Sequence, residues 1–381
     1  MLTSCRMPSE NIRSAIFEDI FVYLCANEQN IKKQAMKRLT HLVTNIVLIS
    51  SLVFLLSCST DDNAARKDDN PVRIGIAWRG DSTAITFVSA LQSVRETGAV
   101  PVVLPLLKSP FMEYDGDQLM SQYTDEHGVL LQEYADKVKA DPFAGQDIGS
   151  LLVSLDGLIF TGGSDISPTF YKSPEPWHGI EAEGNCDGRR DVSDYILMRW
   201  CLEREPALPV LCICRGMQML SVVSGAQMIQ DLRNYFEERG LSLPDMHRIE
   251  ATAEHGRDFG VHDVTVTDPS SLLRQIVGSE TVRRVPSWHH QAVLSVEGTP
   301  LKVTAVTKTS GIDVIEAVER VDKPFFIGLQ YHPEVAVSKH ANGAADASRF
   351  MDYEDALCYF QALVNYRSSK INPCQFSPKT F

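Results

Sequence analysis

Three short motifs carry side chains that can do nucleophilic chemistry. The first is Pro209-Val-Leu-Cys-Ile-Cys214-Arg-Gly216-Met-Gln218, which sets Cys214 between an apolar run and an amphipathic one. A strand that turns sharply into a helix at a cysteine exposes the sulfur at the sheet edge. The helix N-terminus behind it brings partial positive charge that favours thiolate, and Arg215 adds to this if its side chain comes close. Gly216 leaves room for so tight a turn. The second motif is Gly328-Leu-Gln-Tyr-His332-Pro-Glu334, a histidine and a carboxylate two residues apart after a strand. Cys214 as nucleophile, His332 as base and Glu334 as the group that fixes the imidazole tautomer form a working set for thiol catalysis. The third is Asp156-Gly-Leu-Ile-Phe-Thr-Gly162-Gly163-Ser-Asp165. A Gly-Gly turn at a strand end lets backbone N–H groups face a cleft. With the N–H of Arg215 it can form an oxyanion hole, commonly worth several kcal/mol to a transition state. Singly, each motif has a plainer explanation: a buried structural cysteine, a satisfied histidine, an ordinary turn. Their combination is what points to catalysis.

These residues need a frame that brings 163, 214 and 332 together. Residues 72–78, 101–107, 155–160 and 209–213 are short apolar runs that read as buried strands. Residues 83–98, with Ile85, Val88, Leu91 and Val94 at helical spacing and Gly98 as a cap, read as a helix, as do 191–202 and 215–223. The second half is richer in strand: 262–267, 301–308, 313–318 and 325–331, of which the middle two alternate in polarity as half-exposed antiparallel strands do. A terminal helix is expected over 347–366. Strands alternating with helices imply a three-layer α/β fold, a mostly parallel central sheet flanked by helices with an antiparallel subset.

The five segments LDGLIFTGGSDISPTFY (155–171), RRD (189–191), PVLCICRGMQML (209–220), SWHHQAV (287–293) and GLQYHPE (328–334) together resemble the class I glutamine amidotransferase fold. Within it they are most similar to the γ-glutamyl-γ-aminobutyrate hydrolase type, the C26 peptidases, over about residues 72–365. The resemblance implies a Cys214–His332–Glu334 triad and oxyanion amides from Gly163 and Arg215. It places Gln218 at the glutamyl part of the substrate and Ser287, His290 and Gln291 along the cleft. It implies no cofactor and no metal. The chain departs from the family pattern at Cys212, where a glycine is usual, at Asp194 for Glu, at Pro286 for Asn, and at Thr309-Ser310-Gly311 for Asp-Gly. Cys212 and Cys214 stand two apart, so either they approach disulfide distance, which would silence the nucleophile in an oxidising compartment, or Cys212 is an inert small residue.

Other patterns are weaker. His247, His255 and His262, with nearby Asp245, Asp258 and Asp263, fit no standard zinc spacing and read as a loop with scattered histidines. His289-His290 makes a poor metal pair, because strand neighbours point to opposite faces. Phosphate-binding glycine loops are absent, so nucleotide cofactors are not indicated. With 36 Lys+Arg against 49 Asp+Glu, the formal charge of −13 argues against broad electrostatic binding to nucleic acid. Nine cysteines in 381 residues are too few for a disulfide scaffold.

Near the N-terminus, Leu39 to Thr60 holds no Asp, Glu, Lys or Arg. Met36-Lys37-Arg38 precedes an apolar stretch that ends in Leu55-Leu56-Ser57-Cys58, the order of a signal peptide. The last four residues resemble a bacterial lipobox, implying lipidation at Cys58. The alternative is an uncleaved membrane anchor. The expected organisation is an upstream extension plus signal peptide over 1–57, with Met36 as the true start. A tether over 58–71, a hydrolase domain over 72–366 and a tail over 367–381 follow. The expected product is exported and lipid-anchored at the bacterial envelope. Its partners are a small γ-glutamyl substrate and the membrane, with a homodimer left open and nucleic acid excluded. The activity implied is hydrolysis of γ-glutamyl amide bonds through a γ-glutamyl thioester. A glutaminase-type amidotransferase domain and a catalytically silent exported binding protein are the two other readings.

Overall fold

A computed structural model describes residues 70–178, 186–205 and 207–366. The expected signal peptide, the Cys58 lipidation site, the tether up to residue 69 and the tail from 367 lie outside the described residues. Among those described, no helix is long and apolar enough to cross a membrane.

The strands that matter here are β1 (Arg73–Ile76), β2 (Val100–Val103), β3 (Gly157–Phe160), β4 (Val210–Ile213), β5 (Gln227–Ile229), β6 (Gly260–Val266), β7 (Thr281–Ser287), β8 (Ala292–Ser295), β9 (Leu301–Thr309), β10 (Ile312–Arg320) and β11 (Phe326–Leu329). Nine of them form one sheet in the order β2-β1-β3-β4-β11-β10-β9-β6-β7. The first five run parallel. The remaining four continue the sheet antiparallel. β5 and β8 form a separate antiparallel pair. The expected α/β architecture with an antiparallel subset is therefore the observed one.

β3 (GLIF) and β4 (VLCI) are buried at every residue, which is what helices on both faces require. Their alternate side chains feed two apolar clusters. Leu158, Phe160, Val210 and Cys212 pack toward helices α4 (Gly188–Glu203) and α5 (Arg215–Ser224). Ile159, Leu211 and Ile213 pack with Ile74 and Ile76 toward α1 (Ile85–Glu96) and α9 (Tyr353–Asn365).

Several expectations need correcting. In α1 the buried stripe is Phe87, Ala90 and Val94 with Ser89 and Ser93, whereas Ile85 and Val88 are exposed. The apolar spacing called the helix but not its inward face. β10 does not alternate: Val314 to Val318 are all buried, because it lies inside the sheet between β11 and β9 and Val314 also packs on Leu232, Phe236 and Ala292. β7 has no clear alternation and is found only by its ladder with β6. The expected terminal helix is broken, a short 3-10 turn at Ala347–Arg349 preceding α9.

Helix α4 meets α5 through buried charge. Asp187 caps α4 by accepting from Arg190 N. One turn in, Arg215 Nη2 donates to Asp191 Oδ1 at 2.5 Å, its Nη1 donates to Asp194, and Arg190 Nε lies 3.3 Å from Asp194 Oδ2. Asp191 Oδ2 also accepts from Ser167 N at 3.0 Å and Ser167 Oγ at 2.6 Å. All four charged side chains are fully or almost fully buried. Burial opposes the Arg215 charge, but Asp194 and Asp191 outweigh it and hold its pKa up. Removing one member strands the others without solvent. Asp191→Ala is expected to cost about 3–5 kcal/mol of unfolding free energy, whereas Ser167→Ala, which removes a neutral donor, should cost about 1 kcal/mol. Urea denaturation of the two variants tests that ranking.

Candidate active site

β4 ends at Ile213, and the next residue turns the chain. Cys214 has φ 52° and ψ −107° and is the N-cap of α5. A non-glycine residue there carries strain of about 1–3 kcal/mol. The turn is held by Cys214 N donating to Leu329 O at 2.6 Å and by Gln218 N donating to Cys214 O at 3.0 Å. Gly216 is needed because a Cβ would sit 2.6 Å from Phe160 O. The expected elbow is thus present, with the sulfur nearly buried and 3.8 Å from Trp288 O.

His332 follows β11 and is the N-cap of α8 (Pro333–Ala341). Pro333 occupies the first helical position, where its missing N–H costs nothing. Glu334 therefore lies in the first turn, and its Oε1 is 2.6 Å from His332 Nδ1. The backbone N–H of His332 donates to Pro286 O at 2.8 Å. The imidazole and the Cys214 side chain are close enough to interact electrostatically, both lying against Gly162. With Nδ1 engaged by Glu334, Nε2 is the atom left for the sulfur. Burial works against a charged imidazole, but Glu334 and then Cys214 outweigh it and lift His332 to about 10. A Cβ on Gly162 would lie 2.7 Å from His332 Cε1 and 3.6 Å from Cys214 Cβ, so that glycine closes the wall of the site.

Two guanidinium groups grip the same turn. Arg79 Nη1 donates to Gly162 O at 2.7 Å and Arg190 Nη1 at 2.9 Å, while Arg190 Nη2 donates to Thr161 O at 2.8 Å. The Gly162–Gly163 peptide is trans. In a planar trans amide the N–H points opposite to the C=O. Fixing the Gly162 carbonyl therefore fixes the direction of the Gly163 N–H. The Arg215 N–H, first in α5, is one of the helix's orphan donors. Sequence reasoning missed Arg79: a lone arginine after the first strand has no pattern to mark it.

The remaining expected site residues are mostly engaged with protein. Gln218 Nε2 donates to Gln291 O at 3.1 Å and Gln330 Oε1 at 3.3 Å. His290 bridges two carboxylates, Nδ1 to Asp231 at 3.0 Å and Nε2 to Asp165 at 2.8 Å. Burial opposes its charge, yet Asp165 and Asp231 raise it to about 10. The bridge ties the segment 287–291 to the turn after Gly163. Ser287 ends β7 with its hydroxyl buried and no hydrogen-bond partner among the described residues, and Gln291 Nε2 likewise has none. Cys212 and Cys214 are both free thiols. The i, i+2 rule assumes extended backbone through both; the turn at Cys214 breaks it, and the two side chains join different apolar clusters. Burial drives the Cys212 thiol far up in pKa.

One constellation was not foreseen. His247 and His262, read as loop residues, converge with His289 and Glu316 in the interior, and all four are buried. His289 and His290 do point apart, though they lie in the irregular segment between β7 and β8 and not in a strand.

The family model Peptidase C26 matches residues 140–334, just over half of the chain. Protein NtpR of Enterococcus hirae is 28% identical over 280 residues, covering 73% of this chain and 92% of that one. The gamma-glutamyl-gamma-aminobutyrate hydrolase PuuD of Escherichia coli K12 is 28% identical over 196 residues, covering 50% of this chain and 68% of that one. A solved glutamine amidotransferase from Thermotoga maritima aligns over 79% of this chain and 100% of its own, at 14% identity and a TM-score of 0.42.

An imidazole held at about 10 in the folded chain and near 6.5 unfolded contributes stability below about pH 6.5 that is lost as pH rises through 10. The ¹⁵N NMR titration of His332 should show imidazolium persisting above about pH 8 in the wild type, with a drop of more than about one unit in Glu334→Gln.

Proposed function

The chain belongs to the Peptidase C26 family, and we propose that it is a cysteine-dependent hydrolase that cleaves γ-glutamyl amide bonds through a γ-glutamyl thioester. The observation that carries this reading is Cys214 at a strained strand-to-helix turn with His332 beside it, the Nδ1 of that ring held 2.6 Å from Glu334. The similarity to a γ-glutamyl-γ-aminobutyrate hydrolase supports the bond class.

In this mechanism His332 Nε2 already holds the proton taken from Cys214, and the thiolate of that ion pair attacks the side-chain amide carbon. The carbonyl oxygen becomes an oxyanion facing the N–H groups of Gly163 and Arg215. Collapse breaks the C–N bond, and the amine leaves with the proton from His332. Water then attacks the thioester, giving its proton to His332. Glutamate departs as the C–S bond breaks, leaving the thiolate beside the His332 imidazolium that holds the water proton. Glu334 keeps Nδ1 protonated throughout, so Nε2 is the atom that cycles. We also propose that the chain is exported and lipidated at Cys58, on the lipobox-like Leu55-Leu56-Ser57-Cys58; metabolic labelling with an alkynyl fatty acid, lost in Cys58→Ala, tests this.

The full chain, solubilised in mild detergent, should release glutamate from at least one of γ-glutamyl-GABA, γ-glutamyl dipeptides, glutathione or glutamine. Cys214→Ala should lower that release at least about 10³-fold. Undiminished release in the variant would remove the cysteine mechanism; a folded wild type silent on the whole panel would favour a binding role. Arg79→Met leaves the triad in place but loosens the Gly162–Gly163 peptide. It is expected to lower kcat by roughly 10- to 100-fold with KM nearly unchanged, as steady-state kinetics on the best substrate will show.

A further inference from the structure

The four inward-facing atoms of the buried histidine cluster come from distant parts of the chain. His247 lies in the loop before β6, His262 on β6, His289 between β7 and β8, and Glu316 on β10. Their ligand atoms all lie within 4.8 Å of one another. His247 Nδ1 is 3.1 Å from His289 Nε2 and 3.4 Å from Glu316 Oε1. Glu316 Oε1 is 3.6 Å from His262 Nε2 and 3.8 Å from His289 Nε2. A tetrahedral ion with bonds of about 2.0–2.1 Å sets its donors about 3.3 Å apart, close to this spacing.

Each outward nitrogen has an acceptor of its own. His247 Nε2 meets Thr309 Oγ1 at 2.8 Å, His289 Nδ1 meets Gln291 O at 2.9 Å, and His262 Nδ1 meets Thr307 Oγ1 at 3.0 Å. Such outer contacts place the proton on the outward nitrogen and turn the lone pair inward, as on metal-bound histidines. Three lone pairs then face one carboxylate. Neither Glu316 oxygen, nor His262 Nε2, has a hydrogen-bond partner among the described residues, although Glu316 is wholly buried. Apart from the His247 Nδ1–His289 Nε2 contact, where one nitrogen can donate to the other, these groups have no donor between them; acceptors crowded together in the interior repel one another, and leaving a buried carboxylate unpaired is costly. A cation at their centre removes both problems.

We propose that His247, His262, His289 and Glu316 form a closed structural site for a divalent transition-metal ion, with zinc the best match. Three imidazole nitrogens and one carboxylate oxygen suit zinc, and four protein ligands leave no open position for a catalytic water. The site binds the 247 loop, β6 and β10 to the segment that carries Trp288 and Gln291. Trp288 O contacts Cys214 Sγ, and Gln291 O accepts from both His289 and Gln218. The ion thus braces one wall of the active site without touching the reacting atoms.

The test is metal analysis of the intact full chain, purified without chelators, and does not depend on the hydrolase reading. Plasma mass spectrometry should find about one zinc per chain, unchanged in Cys214→Ala and largely lost in His262→Ala and Glu316→Gln. After stripping with a strong chelator, the wild type should lose thermal stability and regain it with Zn²⁺. Co²⁺ in place of Zn²⁺ should give the visible absorption of a tetrahedral site. Three results would each overturn the proposal. One is wild-type chain that is metal-free as isolated and gives no Co²⁺ band and no thermal shift. The second is zinc retained in full by both variants. The third is zinc lost in Cys214→Ala, which would place the ion on the catalytic sulfur. The metal-free result would leave a proton shared between His247 and Glu316 as the arrangement that relieves the cluster.

Discussion

The geometry around Cys214 depends on one buried interaction, the grip of Arg215 by Asp191 and Asp194. Arg215 follows the nucleophile directly, so wherever its guanidinium is held, the first turn of the elbow helix is held too. The same carboxylates anchor other parts. Asp191 receives Ser167 from the loop after the Gly-Gly turn, and Asp194 pairs with Arg190, which in turn clamps the carbonyls of Thr161 and Gly162. The turn at Cys214 and the Gly162–Gly163 turn are therefore fastened to one helix, α4. Charges buried this deeply are a poor device for stability alone, since their desolvation opposes their attraction. Here they set directions, which apolar contacts do less well.

A second theme is how few atoms separate the working groups. Gly162 touches the His332 ring on one side, and its carbonyl is bonded by Arg79 and Arg190 on the other. A side chain at 162 would push the imidazole off the sulfur, and a free carbonyl would let the next peptide turn. Strain at Cys214 is tolerated because both its backbone groups are hydrogen-bonded, to Leu329 on the neighbouring strand and to Gln218 in the helix. Parallel pairing of β4 with β11 brings the strand ends that carry Cys214 and His332 side by side.

The far wall is built differently. The segment 288–291 has no regular structure between β7 and β8. It is fixed by side chains instead: His290 between Asp165 and Asp231, and His289 in the histidine–glutamate cluster. One histidine faces the turn at 165 and the next faces the interior. The adjacent pair in sequence thus serves two separate anchors.

Local sequence decided the chemistry and much of the frame. A short apolar strand running into Cys214-Arg-Gly, a His-Pro-Glu after another strand and a Gly-Gly at a third are patterns whose constraints act within a few residues, so they could be read directly. The parallel core strands were legible for the same reason, being apolar on both faces. What needed the tertiary structure were properties set between distant segments. The inward face of α1 depends on what packs against it, so Phe87 rather than Ile85 is buried. β10 is buried throughout because of its place in the sheet order, which periodicity does not encode. Arg79 has meaning only beside the Gly162 carbonyl. Cys212 is separated from Cys214 by a positive φ that no spacing rule anticipates. His247, His262, His289 and Glu316 come from four separate segments, and only the antiparallel half of the sheet and the loops at its edge bring them within reach of one another.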